Sequence, residues 1–290
     1  MTVLKLLARH TRTLRSRLSG LVGSDTSRHD EARYFYLGPD LALVRLKSGL
    51  GLYVDPQDRQ ISARVILRGH WEVWISMAVL SLLRPGDRVV EVGSNIGYYT
   101  LIMADRVGQQ GQVVGLEANP RLATLANQSL GLNDFGGHAQ VMNLAAMDVS
   151  GHELFVTSRA NSGGGHTKVL AEAPFEDAVT ISIPSIRLDD LKMDQVDFIR
   201  LDAEGCEPLI LRGAASLLAR NPDVIICMEW CPIQMESRTS VEGFVAELVA
   251  QGFRFWSIHK DARLAPLTAE ALVVSGHTDI IASRRDPHRR

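Results

Sequence analysis

One stretch restricts the fold of this chain more than any other. A short apolar strand, Arg88-Val89-Val90-Glu91-Val92, runs into Gly93-Ser94-Asn95-Ile96-Gly97, and a helical stretch follows at once over Tyr98–Val107. The strand is β-branched on both faces, as a strand buried on both sides must be. Its glycines let the backbone turn sharply and approach another group closely. The helix that follows presents unpaired amides and a positive dipole end to whatever lies in that turn. The same alternation then repeats along the chain. Strands are predicted over 112–117, 140–145, 197–202, 223–229 and 253–259, with helices over 71–83, 120–132, 207–219 and 241–251. Strands alternating with helices imply an α/β fold, a mostly parallel sheet with helices on both faces. Such sheets bind ligands at the carboxyl ends of their strands. Ahead of this unit, Leu41–Lys47 and Leu50–Asp55 flank Ser48-Gly49 and read as a β-hairpin.

The glycine loop narrows the ligand. A dinucleotide site asks for G-x-G-x-x-G and a P-loop for a Lys-[ST] pair. This loop is G-x-x-x-G, with Asn95 where a second glycine would stand. Glu117 ends the next strand, 24 residues after Gly93. An acid there can accept bonds from both ribose hydroxyls of an adenosyl ligand, which suits NAD or S-adenosylmethionine alike. Asn119-Pro120 then starts a helix, with Asn119 as its N-cap.

Four ordered motifs carry a family resemblance. They are Glu91-Val-Gly-Ser-Asn-Ile-Gly97, Glu117-Ala-Asn-Pro120, Asp197-Phe-Ile-Arg-Leu-Asp-Ala-Glu-Gly-Cys-Glu207 and Leu211-Arg-Gly-Ala214. Together with Trp71-Glu72, they resemble the FkbM family of S-adenosylmethionine-dependent methyltransferases, from about residue 65 to about 232. The resemblance implies a Rossmann-like class I methyltransferase fold with a seven-stranded sheet whose last strand is antiparallel. It also implies O-methylation, commonly of sugars or other hydroxylated small molecules. Departures are modest: Glu91 stands for the family's aspartate, Ser94 for its alanine and Ala203 for its valine.

On this reading the cofactor residues are Glu91, Gly93, Ser94, Asn95, Gly97, Glu117, Asn119, Asn143 and Ala146. Glu91 would act indirectly, orienting the loop. Asn143 and Ala146 follow the third strand, where the adenine ring rests in this fold. Methyl transfer to a hydroxyl needs the oxygen held in line and its proton removed. Asp202 and Glu204 are the pair expected to face that hydroxyl, with His166 as a further candidate base after the flexible run Asn161-Ser-Gly-Gly-Gly165. Glu207 is expected to cap its own helix. Asp202, Glu204 and Glu229 would be the oxygen ligands if a divalent cation were held, but their spacing carries no fixed metal signature, and a metal-free site is the expectation. Two other classes stay open: a nucleotide-dependent oxidoreductase, and a methyltransferase-like interaction protein without catalysis.

Composition bounds the setting. Hydrophobic residues are 46% and charged residues 22% of 290, which excludes a mostly disordered chain. A net charge of −2 gives no general case for nucleic acid. Cys206, Cys227 and Cys231 form no CxxC pair, which excludes a disulfide scaffold and favours a reducing, cytoplasmic compartment. Residues 1–24 differ from the rest. They hold Lys5, Arg9, Arg12, Arg15 and Arg17 and no acid, while Val3, Leu4, Leu7, Leu14, Leu18, Leu21 and Val22 share one helical face. Three uses fit such a basic amphipathic helix. It packs on its own domain or on a second subunit in a homodimer, it lies peripherally on an anionic inner membrane face, or it is an organellar transit peptide. The expected division is 1–24 helix, 25–64 linker and hairpin, 65–283 methyltransferase domain and 284–290 disordered tail.

Overall fold

The computed structural model describes residues 33–167 and 177–289. The segment 1–24, and with it the expected basic helix, lies outside the described residues. The described chain starts with three antiparallel strands, β1 (Arg33–Gly38), β2 (Leu41–Arg45) and β3 (Gly51–Val54). The β2–β3 turn is the expected hairpin, and β1 adds a third strand to it. Helices α1 (Ile61–Arg68) and α2 (Val73–Leu82) follow, the latter stopped by Pro85-Gly86.

The alternating unit then runs β4 (Arg88–Val92), α3 (Tyr98–Val107), β5 (Gln112–Leu116), α4 (Pro120–Leu132) and β6 (Ala139–Met142). Next come four strands of a smaller sheet: β7 (Ala145–Ala146), β8 (Gly151–Thr157), β9 (His166–Thr167) and β10 (Val179–Ile186). The large sheet resumes with β11 (Phe198–Leu201), α5 (Glu207–Arg212), α6 (Ala215–Arg220), β12 (Ile225–Trp230), α7 (Pro232–Glu236), α8 (Val241–Ala250), β13 (Arg254–Ile258), β14 (Leu264–Leu267), α9 (Ala269–Val273) and β15 (Thr278–Ser283). Its order is β14-β13-β15-β12-β11-β4-β5-β6. The five strands from β12 to β6 are parallel, and the last strand, β15, is antiparallel to both its neighbours. The described sheet has eight strands rather than seven, because β14 folds back on β13 as an extra edge.

Alternation along the central strands sends side chains to two cores. Val90, Val92, Ile199, Leu201, Ile226 and Met228 pack under α5, α6 and α8. Val89, Phe198, Ile225 and Cys227 pack under α2, α3 and α4. The hairpin belongs to this second core through Ala42, Val44, Leu52 and Val54. Two side chains on α4 and at its end pin it there. Asn133 accepts from the Gly51 amide at 3.0 Å and donates to the Gly51 carbonyl at 2.7 Å, and Ser129 Oγ accepts from the Tyr53 amide at 2.9 Å.

Two expected elements are corrected. The strand expected over 140–145 is Ala139–Met142, and Ala145–Ala146 pairs with β10 in the smaller sheet instead. The helix expected over 207–219 is broken at Gly213. The Met147 carbonyl occupies the place a side chain at Gly213 would need. The Asp189 carboxylate then caps the amides of Ser216 at 3.1 Å and Leu217 at 2.7 Å, so a new helix starts. Asn133→Ala removes both of its bonds to Gly51 and leaves that of Ser129 to Tyr53. It is expected to lower stability by about 2 kcal/mol in urea denaturation, whereas an unchanged midpoint would show that the hairpin is held elsewhere.

Candidate active site

The carboxyl ends of β4, β5 and β11 open into one cleft, whose space, counted out into the open solvent at its mouth, is about 420 Å³. Its floor is Val92, Gly93, Leu116, Glu117, Asp202 and Ala203. Its roof is the smaller sheet: Ala145 and Ala146, Phe155 of β8, and Gly165, His166 and Thr167. Leu144, Ala146 and Phe155 make one flank apolar, as a flat heterocycle requires.

Gly93 sits at φ +80°, and a Cβ there would fall on the Asp202 carbonyl oxygen. That close approach brings the loop onto the end of β11, so only glycine fits. Gly97, at φ +84°, starts α3 with no room for a side chain, since a Cβ would lie 2.6 Å from that of Ala126. Asn95 is left-handed at φ +49°, and its own carboxamide accepts from the Ile96 amide at 2.8 Å. Asn and Gly are the residues that tolerate this conformation. Ser94 is buried, its hydroxyl set against Gly115.

Glu117 holds the loop in place. It is 6% exposed. One oxygen accepts from the Asn95 amide and the other from the Asn119 amide, each at 2.7 Å. Burial nonetheless pushes its carboxyl up to about 7, against those two bonds. Each oxygen keeps a second lone pair, so the group can still accept two hydroxyls from the cleft. Asn119 caps α4 as expected, accepting from Arg121 at 3.0 Å. Asn143 donates to the carbonyls of Glu117 and Ala118, both at 2.9 Å.

Of the nine expected cofactor residues, Gly93, Glu117 and Ala146 line the cleft. Ser94, Asn95, Gly97, Asn119 and Asn143 shape it from behind. Glu91 is fully buried beneath the loop, bonded to the Thr100 hydroxyl and 3.7 Å from Arg200. Of the catalytic candidates, Asp202 and His166 line the cleft. Glu204 lies beside it, left-handed at φ +51° and bonded to the Gln234 amide. The glycine run before His166 is anchored: Ser162 Oγ donates to Asp58 at 2.8 Å, and Asn95 Nδ2 donates to the Ser162 carbonyl at 2.8 Å.

Next to the cleft the carboxylates gather. Oxygens of Asp202, Glu204 and Glu229 lie within 4.8 Å of one another, a spacing in which a divalent cation could be held. His277 Nε2 lies 2.8 Å from Glu229. Glu207 caps the turn before α5, accepting from the Ala203 amide at 2.7 Å. Burial and mutual repulsion push Glu204 and Glu207 up to about 8 and Glu229 up to about 7. Cys206 also lines the cleft, but burial pushes its thiol up to about 11, so it is no nucleophile.

Sequence reasoning missed the cation that pairs with Asp202. Arg200 is 3% exposed, in a strand otherwise made of Phe198, Ile199 and Leu201. It donates to Asp202 at 2.9 Å and lies 3.7 Å from the centroid of the Tyr99 ring. Tyr99 in turn donates to Glu72 at 3.0 Å. Burial pushes the carboxyls of Glu72 and Asp279 up, and the Arg200 charge works against that shift in both. The one available signal was a charge inside an apolar strand.

Comparison with known proteins gives the chain a family. The family described as methyltransferase FkbM domain matches residues 91–255, more than half of the chain. A protein-L-isoaspartate O-methyltransferase 1 of Archaeoglobus fulgidus is 43% identical over 54 residues, 19% of this chain and 25% of that protein. A protein-L-isoaspartate O-methyltransferase of Ignicoccus hospitalis is 46% identical over 48 residues, 17% of this chain and 23% of that protein. The chain thus spans about a quarter of the length of these relatives. Among solved structures, a SAM-dependent methyltransferase from Aquifex aeolicus matches at TM-score 0.43 and 14% identity, covering 76% of this chain and 91% of that one. An O-methyltransferase from Bacillus cereus in complex with SAH matches at 0.41 and 16%, covering 72% and 77%.

The raised carboxyls set a pH dependence. Glu117, Glu204, Glu207 and Glu229 hold protons in the folded state up to about 7 or 8, against 4.5 ordinarily. The unfolded chain releases those protons earlier, so their contribution is full below the unfolded value and lost as pH rises through the folded one. The thermal midpoint is expected to fall from about pH 5 to about pH 8, and Glu207→Gln should flatten that slope. A midpoint that climbs over this window would contradict the assignment.

Proposed function

Because this chain belongs to the methyltransferase FkbM domain family, we propose that it transfers the methyl group of S-adenosylmethionine to a hydroxyl of a sugar, glycan or glycosylated small molecule. The cleft fits the adenosyl group by its own chemistry. Glu117 lines the floor with its two carboxyl oxygens, the apolar flank of Leu144, Ala146 and Phe155 suits the adenine, and Gly93 lets the backbone approach closely. When bound, S-adenosylmethionine supplies a methyl already activated by its sulfonium.

The rest falls to this chain's residues. Asp202 lines the cleft as a carboxylate paired to Arg200, which fixes its orientation. It is the group placed to take the proton of an acceptor hydroxyl, and Glu204 and Glu229 stand within reach of it. The carrying observation is this cluster of carboxyls beside the cleft, with Asp202 in its lining. Carboxyls with raised affinity for protons both donate to and accept from hydroxyls, so a polyol is the acceptor they match best. The roof of Phe155, His166 and Thr167 excludes water from the bound donor.

A screen with labelled methyl donor tests this, with sugars and glycosides in one arm and an isoaspartyl peptide, named by the partial relatives, in the other. Label on a sugar hydroxyl is expected. In that assay Asp202→Asn should lower kcat by about 10²–10⁴ with little change in KM for the donor. Label confined to the peptide carboxyl would overturn the acceptor assignment, and an unchanged kcat would remove Asp202 as the base.

A further inference from the structure

The turn between β3 and α1 carries a buried acid, Asp58, that is not part of the cleft's lining. It is 1% exposed. Two of the hydrogen bonds it accepts are local, from the amides of Gln60 at 3.0 Å and Ser62 at 2.6 Å, and they start α1. Two more come from one residue 104 positions along the chain: the Ser162 amide at 3.3 Å and the Ser162 hydroxyl at 2.8 Å. Capping α1 needs only the first pair. The second pair fastens the loop that leads into the roof residues Gly165, His166 and Thr167. That loop has further ties to the same turn. The Arg59 amide donates to the Ala160 carbonyl at 3.0 Å, and Arg159 pairs with Asp55 at 3.1 Å.

The bonds continue past the roof loop. The Ser162 carbonyl accepts from Asn95 Nδ2 at 2.8 Å, and the Asn95 amide donates to Glu117 at 2.7 Å. Asp58, Ser162, Asn95 and Glu117 thus form one series of bonds that ends in the floor of the cleft. The series also accounts for the residue at 95. Its backbone is left-handed at φ +49°, a conformation that glycine adopts more readily. Glycine would take away the side-chain donor to Ser162, whereas asparagine keeps the turn and adds the link.

We propose that Asp58 is a positioning residue for the methyl donor. It seats the roof loop on the turn before α1 and, through Ser162 and Asn95, holds the glycine loop and Glu117 as an adenosyl group requires. The proposal rests on the reading of this cleft as the donor site. Bonds in such a buried series strengthen one another, so a cut at one end is felt at the other. The hairpin unit then serves binding as well as its own packing.

The test is calorimetric titration of S-adenosylhomocysteine into the full chain and its variants, at a temperature where thermal melts show each one folded. Asp58→Ala cuts the series at its outer end. Asn95→Gly cuts it in the middle and keeps both the left-handed turn and the amide bond to Glu117. Each should weaken binding by about tenfold, the worth of one hydrogen bond. The double variant should bind about as weakly as Asp58→Ala alone, because both cuts act through Ser162, whereas independent losses would multiply to about a hundredfold. Should Asp58→Ala fail to fold, Ser162→Ala replaces it in the same comparison, since it leaves the α1 amides bonded. Binding by the parent with equal binding by the single variants would overturn this proposal alone, as would losses that multiply. No binding by the parent would overturn the donor reading and this proposal with it.

Discussion

The site depends on a single buried cation. Arg200 cannot give up its charge, and burying it alone would be prohibitive. The fold therefore brings acidic side chains to it: Glu91 on the neighbouring strand and Asp202 at the end of its own in direct ion pairs, with Glu72 from the loop before α2 and Asp279 from β15 near enough to feel its charge. Tyr99 closes a further side with its ring face. Register explains the meeting. Arg200 pairs with Glu91 across β11–β4, and Glu229 pairs with Asp279 across β12–β15, all toward one end of the sheet. Removing one member of such a group costs about 3–5 kcal/mol, because the others are left buried and unpaired.

From that centre the two halves of the cleft follow. On one side Glu91 lies under the glycine loop, so the guanidinium supports the turn that Gly93 makes against Asp202. Glu117 holds the same loop from above by its amide bonds. On the other side Asp202 is held toward the cleft, with Glu204 and Glu229 crowded near it. One charged group thus links the glycine loop to the carboxylate cluster, and Glu204 and Glu229 beside Asp202 hold protons to unusually high pH.

Local features were the most legible in the sequence. Helices α3 and α4 run over the residues expected, because Gly108, the Asn119-Pro120 pair and Asn133 end or start them without outside help. The glycine loop and Glu117 are where the strand ends imply. What was missed depends on distant partners. The break at Gly213 needs the Met147 carbonyl and the Asp189 side chain. The roof strand β10 does show a period-two pattern in Val179, Ile181 and Ile183, but β9 is two residues long and has no pattern to read. The acids around Arg200 come from positions 72 to 279, and no local spacing reports such a meeting.

The central claim is that this cleft holds an adenosyl donor through Glu117. Calorimetric titration with S-adenosylhomocysteine, with NAD in parallel and Glu117→Ala as the comparison, tests it most directly. Micromolar binding of S-adenosylhomocysteine that is strongly weakened in the variant, with no heat from NAD, is the predicted result. No binding by folded protein, or equal binding by the variant, would contradict it.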